Sequence, residues 1–243
     1  VKCRSYPSEA ALAAALGRIV VDTVRRLPGA VLGLPTGRTP LDLYAELIRL
    51  TAAERVDWSN VRTFNLDEFV GLGAGDAGSY RTFMQDRLFG HIDIRPEHIG
   101  FLDGRAPDLD RECERYEHAI HAAGGLDLLV LGIGANGHIG FNEPAESLVA
   151  RTHRVRLDER TRAANALWFS GDLSRVPNEA LTMGMATILS ARAIVLIATG
   201  ETKADAVTAM LYGGVTTAVP ASFLQLHPQV SVMLDQSLAD QLP

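Results

Sequence analysis

The sequence predicts an α/β fold: a doubly wound, mostly parallel sheet in a Rossmann-like three-layer sandwich with helices on both faces. Two observations carry this expectation. Short β-branched and leucine-rich runs alternate with longer helical patterns along the whole chain, as successive strand–helix units do. Several of those runs are also almost continuously apolar, as strands covered on both faces are. A third observation concerns domain number. No repeat, low-complexity tract or Pro/Gly/Ser linker separates two compositional regimes, so residues 1–243 read as a single domain.

In chain order, a helix is expected over Ser8–Arg26, where Ala11, Leu12, Ala15, Leu16, Ile19 and Val20 recur at helical spacing. Ala30–Leu34 follows as a strand, then Pro40–Leu50 as a helix whose leading proline suits a first turn. Val61–Leu66 and His98–Leu102 are expected strands, and Leu109–Ala123 a helix. Leu126–Leu131, Thr152–Leu157 and Ala193–Thr199 read as strands, Thr202–Tyr212 as a helix, and Val230–Leu234 as the last strand.

Composition excludes several classes. With 47% hydrophobic and 21% charged residues the chain is an ordinary globular protein rather than a disordered one. The net charge of −6 argues against nucleic acid or an anionic membrane as partner, while leaving room for a local basic pocket. Two cysteines, Cys3 and Cys113, provide neither a disulfide framework nor a cysteine zinc pattern. The longest apolar run, Ala193–Ala198, is far too short to span a bilayer, and the first residues lack the apolar core of a secretory signal. A cytoplasmic location is the expectation.

Ligands of doubly wound sheets bind beyond the carboxyl ends of the strands, and four such loops stand out. Gly33–Pro40 sets Thr36, Gly37, Arg38 and Thr39 at a helix start, which serves equally as an anion site or as a tight strand–helix turn. Without the lysine of a nucleotide P-loop, it suits a sugar phosphate or carboxylate better than ATP. Phe64–Phe69 holds adjacent acids, Asp67 and Glu68, of which at most one faces a cleft directly. A carboxylate there is a general-base candidate, although read alone it is an ordinary strand-end residue. Leu131–Pro144 concentrates Asn136, His138 and Glu143 among glycines, a setting that orients a proton carrier titrating near neutrality. Gly132, Gly134 and Gly137, with Asp158 downstream, also satisfy a dinucleotide fingerprint. Gly140 and Pro144 prevent the long helix that such a fingerprint requires, which argues against an oxidoreductase. Thr199–Lys203 places Lys203 in a first helical turn, where it opposes the helix dipole unless an anion binds beside it.

At these residues the chain resembles the glucosamine-6-phosphate deaminase (isomerase) family, relatives of the 6-phosphogluconolactonases. The resembling segments are Gly33–Pro40, Phe64–Phe69, Gly132–Pro144, Ala180–Leu189, Gly200–Lys203 and Ser222–His227, in order along almost the whole chain. Gly-His-Ile-Gly-Phe-Asn-Glu-Pro is the most specific, and its Asn142 and Glu143 favour the deaminase side. The resemblance implies conversion of glucosamine 6-phosphate and water to fructose 6-phosphate and ammonia, a hydrolase of amino-sugar metabolism without metal or organic cofactor. It implies that His138, held by Glu143 and Asn136, opens the pyranose and that Asp67 moves the C2 proton to C1. Thr36, Gly37, Arg38, Thr39, Gly137 and Lys203 would bind the substrate and its phosphate, and residues 156–176 would form a mobile lid.

Three departures from the family pattern qualify this. Asn136 stands where many members have aspartate, and so brings no negative charge to His138. Leu167 stands where the lid commonly supplies a phosphate-binding arginine, while Arg38 stands where many relatives have glycine; the guanidinium is expected to have moved from lid to turn. His153 and Val155 replace the basic pair that binds an activator phosphate, so a monomer or small homo-oligomer is expected rather than an allosteric hexamer. The alternatives are a galactosamine-6-phosphate deaminase, a 6-phosphogluconolactonase and a non-catalytic sugar-phosphate-binding regulator. Glu68, Tyr80 and His227 are expected to be structural.

Overall fold

The computed structural model describes residues 1–243. The first five strands are β1 (Lys2–Tyr6), β2 (Val31–Leu34), β3 (Arg62–Asn65), β4 (Asp67–Phe69) and β5 (Ile99–Gly100). The others are β6 (Leu128–Leu131), β7 (His153–Arg156), β8 (Glu179–Thr182), β9 (Ile194–Ala198) and β10 (Val230–Asp235). The helices are α1 (Glu9–Arg26), α2 (Leu41–Glu54), α3 (Tyr80–Arg87), α4 (Leu109–Ala122), α5 (Glu159–Asn165), α6 (Met185–Leu189), α7 (Ala204–Tyr212) and α8 (Gln236–Ala239).

Seven strands form a parallel sheet in the order β1-β10-β9-β6-β2-β3-β5. From β2 the chain winds outward to β3 and β5, then returns to β6 on the other side of β2. The order therefore reverses between β2 and β6, and a crevice opens at their carboxyl ends. Alternate residues of each central strand feed opposite faces. Leu128 and Val130 of β6 join a cluster with Leu16, Val20, Leu43 and Leu47 of α1 and α2. Leu129 and Leu131 join another with Tyr116 and Ile120 of α4 and Val207 and Met210 of α7. The continuous apolar runs thus mark strands that have no solvent face.

Local capping fits these elements. Ser8 accepts the Ala11 N–H at 3.1 Å and starts α1, Asp108 likewise caps α4 through Arg111, and neither helix depends on packing alone.

The structure corrects the sequence expectations in several places. Thr152–Leu157 is a strand, but β7 lies outside the parallel sheet, in a small antiparallel one of order β4-β8-β7. His98–Leu102 shrinks to the two residues of β5. The expected helix from Thr202 begins as a single 3₁₀ turn, Glu201–Lys203, before α7. β1 was not expected because Lys2–Tyr6 is largely polar and exposed; its pairing with β10 makes it a strand. Helix α3 is short and mostly polar, and its start is held from a distance. The Glu68 carboxylate accepts the N–H groups of Tyr80 and Arg81 at 3.1 and 3.0 Å and the Ser79 hydroxyl at 2.8 Å.

Candidate active site

The loops after β2, β6 and β9, together with the first residue of β4, converge on one cavity of about 590 Å³ at the switch point. Thr36, Gly37, Arg38 and Thr39 line it from the β2–α2 turn, Asp67 from β4, His138 from the glycine loop, and Lys203 from the turn before α7. Gly37 has φ +103°, a left-handed conformation that glycine accepts without penalty, and its turn leads directly into the uncapped start of α2. Thr199, Gly200 and Thr202 complete the same end of the cavity. Lys203 is half-buried, and burial lowers its pKa. Two helix starts, a lysine and an exposed arginine thus face one small volume, which suits a single phosphate group.

At the other end stand the titratable groups Asp67 and His138. Asp67 is 8% exposed and lines the cavity, whereas Glu68 is fully buried against α3. The adjacent acids therefore divide into one facing the cleft and one serving the framework, as alternation along a strand requires. Burial, followed by the neighbouring Glu68, raises the Asp67 carboxyl to about 8. His138 presents its ring to the cavity, with Nδ1 3.2 Å from the Glu143 carboxylate. The ring lies over Gly134, where a Cβ would stand 2.2–2.5 Å from its atoms; glycine at 134 makes the space for it. Burial opposes ionisation of Glu143, but hydrogen bonds from His138, Thr161 and Asn136 and the charge of His138 prevail, holding it at about 2.

Two expected site residues are placed differently. Asn136 makes no hydrogen bond to the imidazole: its Nδ2 donates to Glu143 Oε2 at 2.6 Å, and its Oδ1 accepts the His138 backbone N–H at 3.2 Å. An amide there gives the neighbouring carboxylate a donor, which an ionised aspartate could not do. Gly137 does not line the cavity either. It has φ +84°, its carbonyl accepts the Ala221 N–H, and a Cβ would meet Val219 at 2.8 Å, so its glycine serves the loop's packing. After Gly137 the chain makes turns and a β-bridge between Ile139 and Asn142 instead of a helix, and Asp158 caps α5 through the Thr161 N–H at 2.6 Å. Neither feature of the dinucleotide fingerprint therefore has its structural context.

Residues 164–168 roof the cavity through Ala164, Asn165, Leu167 and Trp168. Leu167 is 66% exposed, so no guanidinium reaches the cavity from that position. Tyr80, expected to be structural, lines the cavity and donates from its hydroxyl to Asn165 Oδ1 at 2.9 Å. Thr161, Asn165 and Trp168 were likewise not individually foreseen, because only the fold brings them over the glycine loop. His227 is structural as expected: Nε2 bonds the Ala191 carbonyl at 2.7 Å and Nδ1 accepts the Gln229 N–H. No helix is long and apolar enough to cross a membrane.

This arrangement has close relatives. A solved structure of a monomeric glucosamine-6-phosphate deaminase superposes with TM-score 0.96 at 45% identity, covering 99% of this chain and 100% of that one. Glucosamine-6-phosphate deaminase 1 of Bacillus subtilis (strain 168) is 46% identical over 243 residues, 100% of this chain and 99% of the relative. A Giardia intestinalis glucosamine-6-phosphate deaminase 1 is 48% identical over 220 residues, 90% of this chain and 83% of the relative. 6-Phosphogluconolactonase from Trypanosoma cruzi shares the fold alone, with TM-score 0.75 at 21% identity, covering 98% of this chain and 96% of that one. The family described as glucosamine-6-phosphate isomerases/6-phosphogluconolactonase matches residues 7–233, the span that contains every loop around the cavity, and the chain belongs to that family.

Proposed function

We propose that the protein converts glucosamine 6-phosphate and water to fructose 6-phosphate and ammonia. The observation that carries this reading is a buried carboxylate, Asp67, sharing one cavity with a Glu143-held His138 and a cationic anion-binding end. Sugar-phosphate binding alone has no use for a carbon base. Relatives at 45–48% identity carry the deaminase name, and the lactonase shares the fold alone. Water is consumed and ammonia released, so the net change is hydrolytic although the carbon chemistry is an aldose–ketose isomerisation.

In this reading, His138 takes the anomeric hydroxyl proton and returns it to the ring oxygen, which breaks the C1–O5 bond and leaves an aldehyde. Asp67 then removes the C2 proton; the electron pair forms a C1–C2 double bond while the C1=O π pair moves onto the C1 oxygen, which takes a proton from the substrate ammonium and leaves the enol-amine. Return of the proton to C1 gives the C2 imine, whose hydrolysis yields the ketone and ammonia. A substrate ammonium beside Asp67 favours its ionised form and so offsets the effect of burial. Phosphate contacts from Thr36–Thr39 and Lys203 supply binding energy remote from the reacting carbons. Residues 156–176 act as a lid in a single catalytic domain spanning 1–243, and the chain works as a monomer, as its monomeric relative does. His153 donates no charge to an activator phosphate in this reading: burial lowers its pKa and its Nδ1 is taken by the Arg151 carbonyl at 2.9 Å.

The test is ammonia release from glucosamine 6-phosphate, with the galactosamine epimer and 6-phosphogluconolactone as comparison substrates. Release from the first substrate is expected; turnover of the lactone alone would overturn the reading. Arg38 supplies a second test. If it carries the guanidinium that Leu167 lacks, Arg38→Gly raises KM about 10-fold or more with little change in kcat, the loss of one charge-assisted contact. An unchanged KM in steady-state assays would remove Arg38 from the phosphate site.

A further inference from the structure

Glu143 holds His138 from behind, and the structure shows what holds Glu143. His138 Nδ1 lies 3.2 Å from each of the two carboxylate oxygens, so this contact by itself does not fix the carboxylate plane. The orientation comes from two flanking donors: Asn136 Nδ2 at 2.6 Å on Oε2, and Thr161 Oγ1 at 2.5 Å on Oε1. Asn136 belongs to the same loop as His138. Thr161 belongs to α5, in the segment that covers the cavity.

Thr161 is itself tightly placed. It is 5% exposed, its N–H is bound by Asp158 Oδ1 at 2.6 Å, and its carbonyl accepts Asn165 Nδ2 at 2.9 Å. Asn165 in turn accepts from Tyr80 on the cavity wall. Beyond it, Trp168 stands edge-on to Phe83 at 5.2 Å, and Phe169 edge-on to Phe69 at 5.6 Å. The Thr161 hydroxyl therefore reports the position of the covering segment directly to the carboxylate that orients the proton carrier.

We propose that Thr161 is a positioning residue, whose hydroxyl completes the His138–Glu143 pair only when residues 156–176 cover the cavity. Ring opening is then coupled to closure: with the segment displaced, Oε1 loses its donor and Glu143 can turn away from Nδ1. Water is excluded in the same movement that readies the imidazole. The inference rests on the deaminase reading, and on the geometry that a carboxylate gripped on both oxygens is held more firmly than one gripped on a single side.

The test compares ammonia release by wild type, Thr161→Val and Thr161→Ser. Valine keeps the branched shape and the backbone N–H that Asp158 caps, and removes only the hydroxyl. Thr161→Val is expected to lower kcat roughly 10- to 100-fold, the scale of losing an orienting bond to a charged group, with KM within about 3-fold of wild type. Thr161→Ser is expected to stay within about 3-fold of wild-type kcat. A merely structural clasp predicts otherwise: a loss in KM with kcat intact, or serine failing as badly as valine, and either result overturns the proposal. So does full activity of the valine protein. Should that protein not fold, Thr161→Ala is read by the same criteria. A wild type that releases no ammonia would instead overturn the deaminase reading.

Discussion

Replacing Asp67 by asparagine is expected to lower ammonia release by about 10²–10⁴-fold while the protein remains folded, the contribution of a positioned base. The amide has nearly the same shape but cannot take the C2 proton. The same substitution is expected to raise stability at alkaline pH. Burial and the adjacent Glu68 raise the folded-state pKa of Asp67 to about 8, against about 4 in an unfolded chain. Between those values the native protein holds a proton that the unfolded chain has shed, so stability falls as pH rises through the window and levels off above it. Asparagine has no proton to lose. Thermal melts from pH 4 to 9 should therefore show the variant gaining on wild type as pH rises; parallel curves would contradict this account of the site's electrostatics.

His138→Gln is the second large effect, expected to cost roughly 10²–10⁴-fold in kcat. Glutamine can still hydrogen-bond to Glu143 but cannot carry a proton between two oxygens near neutral pH. The surrounding loop should tolerate the change, because glutamine reaches about as far as the imidazole and Gly134 keeps the space the ring now fills. Steady-state ammonia release together with a melting curve checks both halves. A folded variant at full rate would move ring opening to another group.

Much of this was legible in the sequence for a physical reason. β6 reads as a strand buried on both sides because every residue of Leu128–Leu131 is buried, and its apolar run is unbroken. The loops after β2, β6 and β9 announce themselves because a chain leaving a strand end toward a ligand needs small residues and polar groups together. The division of labour between Asp67 and Glu68 follows from alternation. What stayed hidden depends on contacts distant in sequence. β1 is polar and becomes a strand only beside β10, and the start of α3, capped locally by Ser79, is also held by a carboxylate 12 residues upstream of Tyr80. Thr161 lies 18 residues from Glu143, on a helix whose composition says nothing of what it covers. Asn136 was legible as part of the cluster, but whether it touched the ring or its carboxylate partner depended on a loop geometry that no periodicity encodes.

That Asp67 is the base that moves a proton between C1 and C2 is tested most directly by hydrogen exchange at carbon, which is read without an ammonia-release assay. Fructose 6-phosphate is incubated with the protein and an ammonium salt in D₂O, and the C1 hydrogens are followed by NMR. A single carboxylate acts on one face of the enol-amine, so wild type should exchange one of the two C1 hydrogens and leave the other, and Asp67→Asn should exchange neither. Loss of both hydrogens at similar rates, or undiminished exchange in the Asp67→Asn protein, would contradict the account.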